Sequence, residues 1–210
     1  MTDARTEIMS RLQSALADRP TPPAVDRSYL RAMEGAGVDL FVERVADYRA
    51  TVEVVTHDNL PAAIAAALAA HGIRRLVLPT DIPSGWLDGV GPEIEPLFDQ
   101  PHLSVQDLDT ADGVLTGAAL GIALTGTIVL DAGVAQGRRA LTLLPDHHLC
   151  VIRADQIVGT VPEALERIGP RRPQTWISGP SATSDIELNR VEGVHGPRNL
   201  HVLVVGETVS

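Results

Sequence analysis

The stretch that decides the fold covers residues 51–78 and reads TVEVVTHDNLPAAIAAALAAHGIRRLVL. Its first five residues form a β-branched run, which predicts a strand. Asn59 can cap a helix that has Pro61 near its first turn and ends at Gly72. Residues 75–78 predict a second strand. The stretch therefore indicates a strand–helix–strand unit with parallel pairing and a right-handed crossover.

Alternating helical and strand patterns continue through most of the chain, which favours an α/β fold with a mostly parallel central sheet flanked by helices. Helices are predicted at residues 3–18, roughly 37–48, near Glu93–Phe98 and at Val161–Ile168; strands are predicted at about 120–124 and 126–130, at Leu149–Ile152, Thr175–Ser178 and Leu200–Val205. We predict an N-terminal helical arm over residues 1–50, which packs on the main body or on a partner chain, and an α/β domain over 51–210.

The charge balance excludes several classes of function. The chain carries 17 basic residues against 27 acidic ones, for a formal net charge of −10. Nucleic-acid binding and an anionic membrane surface both require clustered cations, which the chain lacks beyond three arginine pairs. Every cation is an arginine, so a Schiff-base lysine and a P-loop lysine are both absent.

Cysteine content and apolar runs predict a cytoplasmic protein with no cluster of its own. Cys150 is the one cysteine, so an intrachain disulfide is impossible and an iron–sulfur cluster held by this chain alone is not expected. The first residues lack the apolar core of a signal peptide, and no run approaches the roughly 18 residues of a membrane span. His147, His148 and Cys150 do not match the ligand pattern of a structural zinc site, so we expect no metal.

The first candidate site is Thr125-Gly126-Thr127, which lies between two apolar runs. Two hydroxyls flank a residue without a Cβ, so backbone amides there can approach an anion closely. The alternative is a tight turn or a bulge in a hairpin.

The second candidate site is the segment from Ser178 to Glu187, which directly follows a predicted strand. Ligands bind at the carboxyl ends of strands in parallel α/β sheets. The side chains offered to an anion or to a charged partner are those of Ser181, Thr183, Asp185 and Glu187. The alternative is that Ser181 or Thr183 caps a helix with acidic residues in its first turn.

The third candidate site lies in the loop before the last strand, where His195 stands between glycines and Arg198 follows. A loop histidine near an arginine can act as an acid or base, or can contact an anion. The alternative is a turn whose Gly-Pro pair fixes the geometry while the histidine bonds to backbone. No catalytic residue is assigned.

The C-terminal half resembles the LUD-domain family, in its lactate-utilisation protein C branch. The matching stretches cover about residues 114–205 in family order: Gly121–Leu130, Arg139–Pro145, His148–Val158, Ser178–Glu187 and Gly193–Val202. The resemblance implies a fold similar to the NagB/RpiA/CoA-transferase group, with an antiparallel insertion. It also implies a role in oxidising L-lactate to pyruvate, with iron–sulfur clusters carried by partner subunits. Because the three candidate sites follow or join predicted strands, we further expect this chain to bind an anionic small molecule there.

One departure from the family pattern keeps alternatives open. Relatives commonly carry an acidic residue just before the Thr-Gly-Thr and often an aspartate a few residues earlier, where this chain has Leu124 and Ala119. A stand-alone enzyme of the CoA-transferase or sugar-phosphate-isomerase type would then need Asp131, Asp185 or Glu187 as its carboxylate. A third possibility is a non-catalytic assembly protein, and self-association into a homo-oligomer also stays open.

Overall fold

The computed structural model describes residues 3–18, 24–25, 28–169, 172–184, 190–192 and 196–206. Two helices precede the first strand, at the predicted places: α1 (Ala4–Ala15) and α2 (Val38–Asp47). Helix α1 buries none of its residues, whereas α2 buries Phe41 and Val45 in the main core. Within these described ranges, no helix is both long enough and apolar enough to cross a bilayer.

From residue 51 onwards, the described part of the chain consists of strands with three further α-helices between them. The strands are β1 (Thr51–Val55), β2 (Arg75–Leu78), β3 (Glu95–Phe98), β4 (Gly113–Gly117), β5 (Leu120–Ile122), β6 (Thr127–Leu130), β7 (His147–Arg153), β8 (Ile157–Val158), β9 (Thr175–Ile177), β10 (Ala182–Ser184), β11 (Arg190–Glu192) and β12 (Asn199–Val205). The remaining α-helices are α3 (Leu60–Ala70), α4 (Val105–Asp109) and α5 (Val161–Arg167).

Six of the described strands form a fully parallel sheet in the order β1-β12-β7-β4-β2-β3. A second sheet has the order β8-β5-β6-β9 and is mostly antiparallel. Strands β10 and β11 form a separate antiparallel pair. The α/β fold with a mostly parallel central sheet and an antiparallel insertion is therefore confirmed.

One prediction for the middle of the chain is wrong, and one strand there was not predicted. The residues Glu95–Phe98, predicted as a short helix, form strand β3, which pairs with the edge of β2. Pro96 and the short length of the segment disfavour a helix, while an open strand edge rewards an extended backbone. The sequence also gave no strand at Gly113–Gly117, yet β4 lies between β2 and β7 with all five residues buried.

Both faces of the parallel sheet are covered, and strand β12 shows how. Val202 and Val204 pack into a core with α2 and the second sheet, where Phe41 is completely buried. Leu203 and Val205 point to the opposite face and pack into a core with α3. Alternate side chains of a strand point to opposite faces, so a strand covered on both sides is apolar throughout.

This architecture gathers the carboxyl ends of the parallel strands along one edge of the sheet. In open parallel sheets that edge is where ligands bind, because the strand–helix loops and their backbone groups converge there. We call it the carboxyl edge and the opposite one the amino edge.

Candidate functional site

A cavity of about 530 Å³ lies at the carboxyl edge. Gly117 of β4, Arg153 of β7 and Val205 of β12 stand at the ends of neighbouring strands and line it, and His57 joins them just beyond β1. The cavity shares several of these residues with a shallower depression of about 590 Å³. Its size is that of sites for small organic ligands.

The cavity has an apolar part and a charged part. Trp86, Leu120, Val151 and Ile168 contribute apolar surface. The charged lining consists of three arginines and two aspartates: Arg153, Arg167, Arg172, Asp131 and Asp155. Arginine therefore exceeds aspartate by one charge, and a ligand with both apolar and anionic parts matches this lining.

The loop of residues 131–137, which forms one wall, has a strained backbone. Ala132 and Ala135 adopt positive φ angles of 54° and 59°, which residues with a Cβ rarely do. Asp81 accepts a hydrogen bond from the Ala135 amide at 3.0 Å, and the Ala135 carbonyl accepts one from the Gly117 amide at 2.7 Å. Backbone strain of this kind clusters at functional sites, where surrounding contacts maintain it.

Within this loop, three polar groups converge on Gly133. Asp131 Oδ1 accepts the Gly133 amide at 3.1 Å, and Asp131 Oδ2 lies 3.0 Å from Arg172 Nη1. A Cβ on Gly133 would come within 2.7 Å of Asp131 Oδ1, 3.1 Å of Gln136 Nε2 and 3.3 Å of Arg172 Nη1. The missing side chain thus allows these groups to approach one another.

Gln136 presents a side-chain donor at the same place. Its side-chain oxygen accepts the Asp131 amide at 2.6 Å, which fixes the orientation of the carboxamide. The residue is only 5% exposed and lines the cavity. Its Nε2 makes no hydrogen bond to any part of the chain that the structure describes, so it can donate to a ligand.

Arg153, at the end of β7, forms an ion pair on the wall opposite the 131–137 loop. Arg153 Nε lies 2.9 Å from Asp155 Oδ1, and both side chains are more than half exposed. Gln156 follows and donates to the carbonyl of Ala118 at 2.7 Å, which ties this wall to the end of β4. Exposed ion pairs contribute little stability, so Arg153 can exchange its partner for a ligand anion.

The predicted Thr-Gly-Thr site lies at the turn between β5 and β6, away from this cavity. Thr125 Oγ1 is 2.7 Å from Thr127 Oγ1, which is 2.8 Å from Ser178 Oγ. Gly126 has φ +57°, and a Cβ there would lie 2.7 Å from the carbonyl carbon of Arg44 in α2. The turn alternative therefore describes the local structure, because the hydroxyls bond to one another and the glycine packs on a helix.

The other two predicted segments meet each other near the amino edge. The Ser181 amide donates to the Pro197 carbonyl at 2.8 Å, and Arg198 forms an ion pair with Asp146, at 2.9 Å from Nε to Oδ1. Together with the Thr127–Ser178 contact, this links all three predicted segments. A smaller cavity of about 190 Å³ lies beside them. Ligand binding by these residues stays a prediction.

Two features of the second predicted segment differ from expectation. Strand β9, which precedes it, belongs to the antiparallel part of the second sheet, so the carboxyl-end rule does not apply to it. Thr183 lies in strand β10 rather than at a helix start, so the helix-capping alternative is wrong. Asp185, Glu187 and His195 lie outside the described residues.

The interior holds a cluster of polar side chains that are too buried to take part in a reaction. His148 Nε2 lies 2.8 Å from Thr116 Oγ1, and burial lowers the pKa of His148 to about 4. Burial raises the pKa of the Cys150 thiol to about 12, so it stays protonated. A protonated buried thiol is neither a nucleophile nor a metal ligand.

Three further histidines lie together where β7 and β12 begin. The ring centroids of His71 and His147 are 4.9 Å apart, and those of His71 and His201 are 5.8 Å apart. The pKa of His147 is lowered mainly by burial and, to a smaller extent, by the charge of the neighbouring His71. Burial also lowers the pKa of His201. Among the described residues, no three side chains of the metal-binding types are placed to hold an ion.

Among the cavity residues, sequence patterns pointed only to Asp131, although a signal for some of the others was present. Arg153 directly follows a predicted strand and His57 comes two residues after another, so the carboxyl-end rule applied to both. Trp86 and Arg172 carry no such signal, because the short 3-10 helix Ser84–Leu87 and the loop of Arg172 reach the cavity through packing alone.

Comparison with known proteins agrees with this fold. The sequence profile of the LUD domain matches residues 38–205. Lactate utilization protein C of Deinococcus radiodurans is 47% identical over 98% of this chain and 93% of its own length. A protein of the same name from Halalkalibacterium halodurans is 35% identical over about half of each chain.

A solved structure extends the agreement to three dimensions. It is a DUF162 family protein from Deinococcus radiodurans, which superposes with a TM-score of 0.68 at 46% identity and covers 80% of this chain and 95% of that one. The profile match spans most of the sequence, and the sequence match to lactate utilization protein C spans nearly all of it. The chain belongs to the LUD domain family.

Proposed function

We propose that this chain works in lactate utilisation, as the subunit without a cluster in a cytoplasmic iron–sulfur system that oxidises L-lactate to pyruvate. The observation that carries the proposal is the 47% identity to lactate utilization protein C over 98% of the chain. Identity that continues over the whole domain supports a shared role more strongly than a shared motif does, because a fold alone hosts many functions.

The assignment of the cluster to partner subunits rests on the chemistry of this chain. An iron–sulfur cluster requires several thiolates, and Cys150 is the one cysteine. That residue is completely buried and its raised pKa keeps the thiol protonated. The electrons of lactate oxidation would therefore pass to clusters on other chains.

The same proposal places an anionic ligand in the carboxyl-edge cavity. Lactate and pyruvate are carboxylates, and arginine recognises carboxylates with parallel hydrogen bonds. Arg153 and Arg172 both line the cavity, and the side chain of each is 60% exposed although each pairs with an aspartate. At the amino edge, one arginine, Arg198, is paired with Asp146, and the threonine hydroxyls bond to one another.

Growth on L-lactate tests the role in the cell. A strain that lacks the gene should fail to grow with L-lactate as its carbon source, and a plasmid copy should restore growth. Growth on pyruvate should be normal in both strains, because the defect precedes pyruvate. Normal growth of the deletion strain on L-lactate would contradict the proposal.

Association with the partner subunits is tested separately. The tagged chain should co-purify with cysteine-rich proteins that carry the visible absorption of iron–sulfur clusters, and the mixture should oxidise L-lactate with a suitable electron acceptor. A chain that remains alone while lactate oxidation by the other subunits is complete would contradict the subunit role.

A second candidate, a stand-alone enzyme of the CoA-transferase or isomerase type, is favoured by one observation. Asp131 lines the cavity, and its side chain is 16% exposed. Such an enzyme needs a carboxylate at the ligand, and Asp131 is in the described part of the chain. Turnover of CoA thioesters or sugar phosphates by the purified chain, abolished in Asp131→Asn, would favour this candidate.

A further inference from the structure

The carboxyl-edge cavity is too large for a three-carbon acid alone. A water molecule occupies about 30 Å³ of liquid, and a three-carbon acid takes up the space of only a few such molecules. The cavity measures about 530 Å³ and continues into the depression next to it. An occupant that excludes water from most of this volume has the size of a cofactor.

The apolar part of the cavity presents an aromatic side chain. Trp86 lines the cavity, is half-buried beside the end of β4, and its ring edge lies 3.6 Å from where a Cβ on Gly117 would stand. Aromatic side chains favour stacked or edge-on contacts with other rings.

The charged part lies within reach of the same ligand. Arg153 is two residues beyond Val151, which pairs with Gly117 across neighbouring strands. Gly117 and Arg153 are therefore separated by one strand spacing of about 4.8 Å and by two residues along the strand, at a rise of about 3.3 Å per residue. A ring with an attached phosphate spans that distance. With no lysine in the chain, arginine is the cation available to such a group.

We propose that this cavity binds a ligand that joins a planar ring to a phosphate, as nucleotides and nucleotide-derived cofactors do. The ring lies beside Trp86 at Gly117, and the phosphate contacts Arg153 and Arg172. Gln136 lines the cavity, and its Nε2 group, which has no partner among the described residues, donates a further hydrogen bond. This inference rests on the proposed anion site and names the class of its ligand.

Calorimetric titration with matched probes tests the inference. Three ring-bearing phosphates (ADP, FMN and coenzyme A) are compared with inorganic phosphate, adenosine and L-lactate. At least one ring-bearing phosphate should bind about tenfold more tightly than phosphate or adenosine, since only it occupies both parts of the cavity. If none of the three binds more tightly than inorganic phosphate does, the inference is overturned.

Variants locate the binding. Arg153→Gln with Arg172→Gln should weaken the ring-bearing phosphate about tenfold or more, because two charge-assisted contacts are lost. Arg11→Gln, which removes an exposed arginine on α1, is the matched control and should bind as the unchanged protein does. Equal binding by the double variant and the control would also overturn the inference.

Tryptophan fluorescence reports on the ring independently of these variants. The chain has two tryptophans, so Trp176→Phe leaves Trp86 as the one emitter. ADP or coenzyme A should change its emission with the affinity that calorimetry gives, and unchanged emission at saturation would contradict ring binding at Trp86. Loss of growth on L-lactate together with no binding would refute this inference alone. Binding together with normal growth of the deletion strain would refute the lactate role alone.

Discussion

Arg172 Nη1 lies 3.0 Å from Asp131 Oδ2 at the mouth of the carboxyl-edge cavity, although the two residues are 41 positions apart in the sequence. The aspartate is largely covered, with 16% of its side chain exposed, and the arginine is 60% exposed. The contact therefore places an exposed cation beside a largely covered carboxylate, next to the donor of Gln136.

The first prediction concerns Gly133, which allows this cluster to assemble. In Gly133→Ala, the new Cβ would stand 2.7 Å from Asp131 Oδ1 and 3.1 Å from Gln136 Nε2, so both groups must move. We expect ADP, or whichever ring-bearing phosphate binds the unchanged protein, to bind about tenfold more weakly by calorimetry. Gly169→Ala is the control, because its Cβ meets no described atom within 4 Å. Equal affinities of the two variants would refute this role.

The second prediction concerns Gly126 at the turn between β5 and β6. Its φ of +57° and the carbonyl carbon of Arg44, 2.7 Å from a new Cβ, both oppose a side chain. Gly126→Ala should lower the free energy of unfolding by about 2 kcal/mol or more. Urea denaturation measures this loss. Gly206→Ala, whose Cβ would make an ordinary contact at 3.4 Å with Ala154, should change stability by less than about 1 kcal/mol.

The third prediction concerns the ion pair of Asp99 and Arg138. Two hydrogen bonds of 2.8 and 3.0 Å join them, and the side chain of Asp99 is 6% exposed. Burial acts to raise the pKa of Asp99, but hydrogen bonds from Arg138 and the Leu103 amide outweigh it, so the pKa is lowered. Asp99→Ala should cost about 3 kcal/mol in urea denaturation, because the partly buried guanidinium loses its counterion.

An exposed ion pair is the control for this third prediction. Asp47→Ala removes a carboxylate that pairs with Arg44 at 3.3 Å, where both side chains are well exposed. Its cost should stay below about 1 kcal/mol. A loss for Asp99→Ala no larger than this would show that the buried pair contributes no more than a surface one.

The fourth prediction concerns pH. The pKa of His148 is about 4 in the folded protein and 6.5 in an exposed chain, so near pH 5 the unfolded state binds a proton that the folded state does not. This contribution to stability is complete above pH 6.5 and is lost as the pH falls towards 4. It amounts to about 3 kcal/mol, since one pKa unit corresponds to about 1.4 kcal/mol.

Substitution isolates this contribution. His148→Gln should reduce the slope of the unfolding free energy against pH between about pH 6 and 4.5. The reduction should correspond to about one fewer proton taken up on unfolding. His57→Gln, at an exposed position, should keep the slope of the unchanged protein. The lowered pKa values of His147 and His201 act with the same sign, so both variants should still lose some stability in acid. An unchanged slope in His148→Gln would contradict a buried neutral imidazole.

Four of the six strands of the parallel sheet, namely β1, β2, β7 and β12, were predictable because they are short apolar runs. Strand β1 appears at the predicted residues 51–55, and β2 at 75–78. Strand β3 was not predictable from its own residues, since Glu95 and Pro96 favour neither a strand nor a helix. It becomes a strand because the edge of β2 offers hydrogen bonds.

The candidate site was less predictable than the fold, for a physical reason. Local patterns detected hydroxyl-rich and glycine-rich turns, but in the structure the hydroxyls of Thr125 and Thr127 bond to each other. The cavity instead depends on contacts between distant segments, such as Arg172 with Asp131 and Trp86 beside Gly117. Such contacts follow from the packed sheet and leave no mark in the spacing of residues.

Complementation of a deletion strain tests whether the carboxyl-edge cavity serves lactate utilisation. A strain lacking the gene is supplied with the unchanged protein, with Arg153→Gln combined with Arg172→Gln, or with Arg11→Gln, and growth on L-lactate is compared at equal protein levels. We expect growth with the first and third proteins and little or none with the cavity variant. Growth of the cavity variant at the rate of the unchanged protein would contradict this role of the cavity.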